Sequence, residues 1–501
     1  MRIFNIHLFF LFIYITFFQL SCVAHEAQGV VELELQVRSD LQRLSLPPVW
    51  KRPKSSACNT LDVAIIGGGM AGMTAGFALI KEGIKNIAIF DENSTGLAGP
   101  WRKTARMHHL RSSKTLMGPA LGIPCLTFRC WYEAYYGSEA WDQLKFIPTE
   151  DWSNYLTWYG RVLDLPISHQ MSLQAIHPAD KCFELVFAHG DQIKVVYARK
   201  VVLATGREGF GGLETPAFMQ HLSKEKFAHT GEAIDPAIFA DKRVVVIGAG
   251  ASAFDAAGEA LEWGAAEVMI LIRRPALPMV NKFSKFSFPG ILHGFYHLDD
   301  ELRCRLLAQA FASGIPPAQG GVERVKDARQ LVISYDTEIQ VINENSVEIC
   351  VKTNQGDFTC DYIVLGTGFS VDGTKRSELQ HVMPAIQLWE EHVPPEILAK
   401  MPKLGRFPYL GEHFQFLEKE KGLAPYLKNL YCFNYGAILS HGMVSGDIPG
   451  VSYGATRLAT GIAADFFTEE VELYQQAITD YNIPLFNIDD YPFLAPVSSV
   501  P

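Results

Sequence analysis

Two glycine-rich turns about 180 residues apart carry the chemistry that this 501-residue chain displays most directly. The first, Gly67-Gly68-Gly69-Met70-Ala71-Gly72, follows the apolar run Val63-Ala64-Ile65-Ile66; the second, Gly248-Ala249-Gly250-Ala251-Ser252-Ala253, follows Val244-Val245-Val246-Ile247. At the first, Gly67 suits a tight strand-to-helix turn, Gly69 lets backbone approach a pyrophosphate, and Gly72 lets helix and strand pack closely. Gly248, Gly250 and Ala253 take the same places at the second. In each case phosphates would sit at the positive end of the following helix.

The strand after each turn ends in a charge of opposite sign. Ile87-Ala88-Ile89-Phe90 ends in Asp91, whose carboxylate can accept hydrogen bonds from ribose hydroxyls, which suits FAD or NAD and disfavours a 2′-phosphate. Val268-Met269-Ile270-Leu271-Ile272 ends in Arg273-Arg274, whose guanidinium groups can hold a 2′-phosphate and select NADPH. Two turns of this kind, with opposite signs at the strand ends, indicate an enzyme that binds two dinucleotides.

The elements that must position these turns follow from two further segments. Val201-Val202-Leu203-Ala204-Thr205-Gly206 and Tyr362-Ile363-Val364-Leu365-Gly366-Thr367-Gly368 are apolar strands ending in small residues. Gly206 and Gly368 would let the chain pass beneath a bound cofactor while crossing between domains. The expected fold is α/β, with two Rossmann-like dinucleotide-binding domains and the NADPH domain inserted into the FAD domain. The expected ranges are an apolar leader over 1–29, a helix and linker over 30–60, the FAD domain over 61–208 and 366–501, and the NADPH domain over 209–365. A β-meander is expected at 182–200, and strands near 337–342 and 347–351 are joined to a turn at Asn354-Gln355-Gly356-Asp357.

With these features the chain, over about residues 60–465, resembles the class B flavin monooxygenases, which include flavin-containing, Baeyer–Villiger and N-hydroxylating enzymes. Gly99-Pro100-Trp101-Arg102 resembles the family's Gly-Gly-x-Trp segment, and Pro148 to Leu163 its Tyr-containing helix. At the family's Phe-x-Gly-x-x-x-His signature only His229 matches, with Ser223 and Glu225 at the Phe and Gly positions. In the loop Leu110 to Met117, Lys114 and Met117 match the family, but Arg111 stands at its active-site Asn position. Arg111 would suit an anionic substrate or a developing negative charge, or else would bind the pyrophosphate or form an ion pair. Gly446-Asp447, ahead of the small-residue run from Gly454 to Asp465, resembles the superfamily's Gly-Asp element beside the flavin.

The resemblance implies that NADPH reduces FAD, and that a flavin C4a-(hydro)peroxide formed with O2 oxygenates a small organic substrate at nitrogen, sulfur or a ketone carbon. Arg111 and Trp101 are the residues expected near the flavin. The alternatives are an NADPH-dependent flavoprotein reductase using another electron acceptor, and a non-catalytic redox-sensing nucleotide-binding protein.

Composition sets the remaining bounds. A hydrophobic fraction of 48% gives ample core for two or three domains, and a net charge of −10 argues against nucleic-acid binding. Nine scattered cysteines form no disulfide framework, and the four-residue gap between Cys125 and Cys130 lacks the sequence context of a redox pair. His108, His109 and His441 have no companions at metal-ligand spacing, so no metal is expected. Residues 3–20 read as a signal peptide, a membrane anchor or sequence upstream of a later start; membrane association is expected only through them, and the catalytic domain is expected in the cytoplasm.

Overall fold

The computed structural model describes residues 28–47, 60–345 and 347–494; the apolar segment 3–20 and the linker 48–59 lie outside the described residues. Among the described residues no helix is long and apolar enough to cross a membrane. A leading helix, α1, covers residues 28–43.

Strand β1 (Leu61–Ile66) is buried at every position after Leu61, as an apolar run covered on both faces must be. It pairs in parallel with β2 (Ile87–Phe90) on one side, which in turn pairs with β3 (Ile167–Ser168). Between β1 and β2 lies α2 (Met70–Lys81), whose Gly76 faces Ile89 so closely that a Cβ would come within 2.8 Å of the isoleucine Cδ1. Strands β4 (Ser172–Ala179), β5 (Cys182–His189) and β6 (Gln192–Leu203) form the antiparallel meander. The second half of β6 joins the parallel sheet beside β1. Three aromatic-rich helices, α3 (Phe128–Tyr136), α4 (Ser138–Gln143) and α5 (Thr149–Val162), pack over this sheet.

A short ribbon then carries the chain out and back. β7 (Gly211–Leu213) leaves the first sheet, and its antiparallel partner β16 (Phe369–Val371) returns. Between them lies a second, all-parallel sheet of β8 (Phe227–His229), β9 (Arg243–Ile247), β10 (Glu267–Leu271), β11 (Leu331–Ser334) and β15 (Tyr362–Leu365), in the order β11-β10-β9-β15-β8. Helix α6 (Ala251–Glu262) connects β9 to β10. An antiparallel sheet of β12 (Ile339–Glu344), β13 (Ile349–Thr353) and β14 (Gly356–Cys360) precedes β15. After β16 the chain rejoins the first sheet as β17 (Leu430–Cys432), parallel to β6. The second sheet is thus inserted between two parts of the first.

The cores do not follow this division strictly. Phe283, Phe286, Phe295, Cys304 and Leu307, which lie in sequence between β10 and β11, are buried in the core of the first sheet. They form a strap between the two halves. Trp389, Phe407 and Phe414, in the chain between β16 and β17, are likewise buried core residues.

Candidate functional site

The first turn has the geometry that a bound dinucleotide requires. Gly67 has φ +107°, and a Cβ there would come within 2.4 Å of the Ala204 carbonyl oxygen. A Cβ on Gly72 would lie 1.8 Å from the Gly67 carbonyl oxygen, so only glycine lets α2 sit this close to β1. By contrast, a Cβ on Gly69 would meet only Gly99, whose Cα is 3.5 Å away. The two glycines leave an open cradle beside the free N–H groups of the α2 N-terminus, which fits a pyrophosphate. Asp91 is buried and preset: Gly68 N donates to its Oδ2 at 2.5 Å and Asn93 N to its Oδ1 at 2.7 Å. A carboxylate oxygen accepts two hydrogen bonds, so each still has capacity for a ribose hydroxyl.

The second turn repeats the first with two exchanges. Gly248, at φ +144°, approaches the Gly366 carbonyl as Gly67 approaches that of Ala204, with the same 2.4 Å limit for a Cβ. The small residues have swapped places: Gly72 lies opposite Ala204, whereas Ala253 lies opposite Gly366, where a Cβ would be 2.7 Å from that of Ala253. The register also shows which residue stands where Asp91 stands in the first turn. Gly67 N donates to Phe90 O and Gly248 N to Leu271 O, so Ile272 is the counterpart of Asp91. Ile272 is buried, and the solvent-exposed Arg273 follows it with no side-chain partner among the described residues. Arg274 instead reaches the Ala312 and Ser313 carbonyls, at 3.4 and 3.3 Å, at the end of a neighbouring helix. An apolar residue in place of the carboxylate, with a free guanidinium beside it, fits a 2′-phosphate.

Where the two halves meet, charges from four separate elements converge. Arg111, in the loop after β2, interacts electrostatically with Arg207, just past β6, with Asp447, ahead of the helix Val451–Glu469, and with Asp255 of α6. Arg111 and Arg207 both present more than a third of their surface to solvent. Desolvation, reinforced by Arg207, holds the Arg111 guanidinium below its ordinary pKa, and Asp255 and Asp447 oppose that shift. Burial raises Asp447, against the pull of Arg207 and Arg111. Burial also pushes Asp255 up to about 6, although Arg324, Arg111 and Arg106 favour its charged form. The Arg207 guanidinium lies 5.2 Å from the centre of the Tyr435 ring.

Gly206 (φ +72°) and Gly368 (φ +85°) mark the two crossings, with open space where a Cβ would stand. Gly446 faces similar open space, and the Asp447 carbonyl accepts from Gly450 N and Val451 N at 3.0 Å, opening the helix. The structure thus brings Arg111, Gly206, Gly446 and Asp447 to one region. Trp101 lies by the cradle: its indole backs Gly99 and meets Trp152 edge-on at 6.2 Å. Lys114 is committed elsewhere, donating to Trp141 O at 2.5 Å. His229 ends β8, where its Nδ1 accepts from Gly231 N at 2.9 Å and its ring meets Phe369 of the returning strand. Burial pushes the Cys125 thiol up to about 12, which opposes thiolate chemistry.

Sequence reading missed Arg207, Asp255 and Tyr435. The only signal for Arg207 was its place directly after Gly206; Asp255 and Tyr435 reach this group of charges through chain packing alone.

Three comparisons bear on this arrangement. Residues 64–287 match the family model described as pyridine nucleotide-disulphide oxidoreductase. The chain is 34% identical over 459 residues to the FAD-dependent urate hydroxylase of Xanthomonas campestris, covering 91% of this chain and 96% of that one. Among solved structures, the ornithine hydroxylase of Pseudomonas aeruginosa in its reduced form superposes with a TM-score of 0.64 at 14% identity, covering 81% of this chain and 100% of the other. The ornithine N-hydroxylase of a Kutzneria species, solved with reduced FAD, NADP+ and L-ornithine, gives 0.62 at 15% identity with the same coverage.

Proposed function

Because the chain belongs to the class B flavin-dependent monooxygenases, we propose that it uses NADPH and FAD to hydroxylate a small anionic heterocycle of the urate type. What supports this reading is that Arg111 and Arg207, from different elements, lie within electrostatic reach of each other where the two halves meet. Two guanidinium groups from different elements bind a delocalised anion well, because each offers a planar fork of donors. They would repel the ammonium group of an amino-acid substrate such as ornithine. The relative with the higher identity acts on urate, an anion at neutral pH, and this agrees with the sign of the site.

FAD, when bound and reduced by NADPH, would supply the two electrons with which O2 is split, one oxygen atom going to the substrate and the other leaving as water. The chain's own residues do the rest. The Gly69–Gly99 cradle and Asp91 would hold the flavin's adenosine diphosphate end, and Gly250, with Arg273, would hold NADPH. The Asp447 carbonyl caps the start of the helix Val451–Glu469, whose positive end would favour electron-rich groups. Arg111 and Arg207 would bind and orient the substrate anion beside the reacting oxygen, while the ring itself gives up electron density as oxygen is added. Arg111 is thus a catalytic residue in this reading, and Trp101 supports the cradle.

The test is NADPH oxidation and O2 uptake measured with urate, other anionic purines and ornithine, with isotopically labelled O2 traced into the product. Urate-type anions should stimulate turnover and gain one labelled oxygen, and Arg111→Gln should raise their KM about tenfold or more, as loss of a charge-assisted hydrogen bond does. Stimulation by ornithine but not by any anion would refute the reading.

A further inference from the structure

Arg111 follows a segment pinned from both sides. On the first half, Thr149 N donates to His108 O at 2.9 Å, Thr149 Oγ1 to Met107 O at 2.7 Å, and Leu110 N to Ile147 O at 2.8 Å. On the second half the anchor is Arg106, whose side chain is almost wholly buried. Its Nη1 donates to the carbonyls of Thr104 at 2.9 Å and Thr230 at 2.7 Å, its Nη2 donates to that of Glu232 at 2.8 Å, and its Nε lies 2.8 Å from the Glu259 carboxylate of α6. The Arg106 carbonyl accepts from Arg324 Nη1 at 2.7 Å, and Arg324 is itself held by Glu262 in a two-point pair at 2.8 and 2.6 Å.

Asp255, Glu259 and Glu262 share one face of α6, at the i, i+4 and i+7 spacing, and this face receives both arginines. The N-terminus of the same helix forms the second glycine cradle. We infer that Arg106 is a positioning residue that clasps the Arg111 segment to α6, so that one joint sets both the NADPH cradle and the anion site. Five planar donors make arginine suited to this task, since one head group reaches two carbonyls of the second half and a carboxylate together. The link to catalysis rests on the reading of Arg111 above; the link to NADPH does not.

The test uses the FAD-loaded protein and the variants Arg106→Met, Arg106→Lys and Glu259→Gln. Three quantities are measured: FAD content, NADP+ affinity by calorimetry, and the fraction of NADPH electrons that appear as hydrogen peroxide with urate present. Arg106→Met should keep FAD, bind NADP+ about tenfold more weakly and release more peroxide. Arg106→Lys keeps the charge without the fork and should recover affinity only in part. Glu259→Gln, which keeps shape and some hydrogen bonding, should shift affinity in the same direction, and adding it to Arg106→Met should cost little more. Wild-type NADP+ affinity in Arg106→Met would overturn the inference. So would loss of FAD in parallel with NADP+ across all three variants, because that marks general unfolding. If Arg106→Met does not fold, Glu259→Gln decides alone. The FAD and NADP+ readouts need no substrate, so they stay decisive even if the anion reading fails.

Discussion

Gly366→Ala tests whether the second turn works as its geometry says. The Gly366 backbone is fixed, since its N–H donates to Ile247 O at 2.8 Å and its carbonyl faces Gly248. A Cβ added there would stand 2.7 Å from the Cβ of Ala253 and 3.0 Å from its Cα. Carbon atoms in contact sit about 3.5–4.0 Å apart, so the overlap is roughly 1 Å. Neither side can rotate away, because both are backbone-anchored methyl positions. The relief available is retreat of the α6 N-terminus, which costs about 1–3 kcal/mol as overpacking. A retreat of that size would also stretch N–H···O bonds to the pyrophosphate beyond useful length. NADP+ affinity, read by calorimetry, should therefore fall by about ten- to a hundredfold, or ~1.4–2.8 kcal/mol. FAD content should stay unchanged, because the first turn shares none of these atoms. Adding Ala253→Gly reproduces the Gly72–Ala204 arrangement and should restore part of the loss, the close approach to the Ala253 backbone remaining. Unchanged NADP+ affinity in Gly366→Ala, or equal loss of FAD, would refute the reasoning.

Arg273→Ala should weaken NADPH about tenfold while leaving NADH within a factor of about two, whereas Arg274→Ala should change the ratio little; steady-state KM values for both nucleotides check this. Asp255 is raised from 3.8 to about 6, so the folded state binds its proton more tightly than the unfolded chain does. The stability this contributes is present below the unfolded pKa and is lost as pH rises through about 6, a change of ~3 kcal/mol. Urea denaturation should accordingly show Asp255→Asn gaining on the wild type between about pH 4 and pH 7; a constant difference would count against the shift. Cys125→Ser combined with Cys130→Ser should leave NADPH oxidation with urate within a factor of about two, since a buried thiol raised to about 12 supplies no thiolate. A large loss of turnover with intact FAD would revive a disulfide-type mechanism.

The local elements were legible because their signals are local. Buried parallel strands read as unbroken apolar runs, glycine turns carry steric demands at fixed spacing, and Asp91 follows its strand directly. The insertion of one sheet in the other was legible for a related reason: the Ala204-Thr205-Gly206 and Gly366-Thr367-Gly368 ends mark the crossings by composition. Other features depend on which atoms come together across the chain. Only the register reveals that Ile272, not Arg273, stands where Asp91 stands, because a one-residue offset leaves the motif's appearance unchanged. Only packing exchanges the small residue between Ala253 and Gly366, or carries Phe283 and Phe295 into the core of the first sheet. The sequence by itself determined two dinucleotide turns and the order in which the chain visits them. The tertiary structure alone decided that Arg111 comes within electrostatic reach of Arg207, Asp255 and Asp447 and that Arg106 joins the two halves. Those side chains come from segments far apart in the chain, and electrostatic interactions act through space, so no spacing along the chain could encode their meeting.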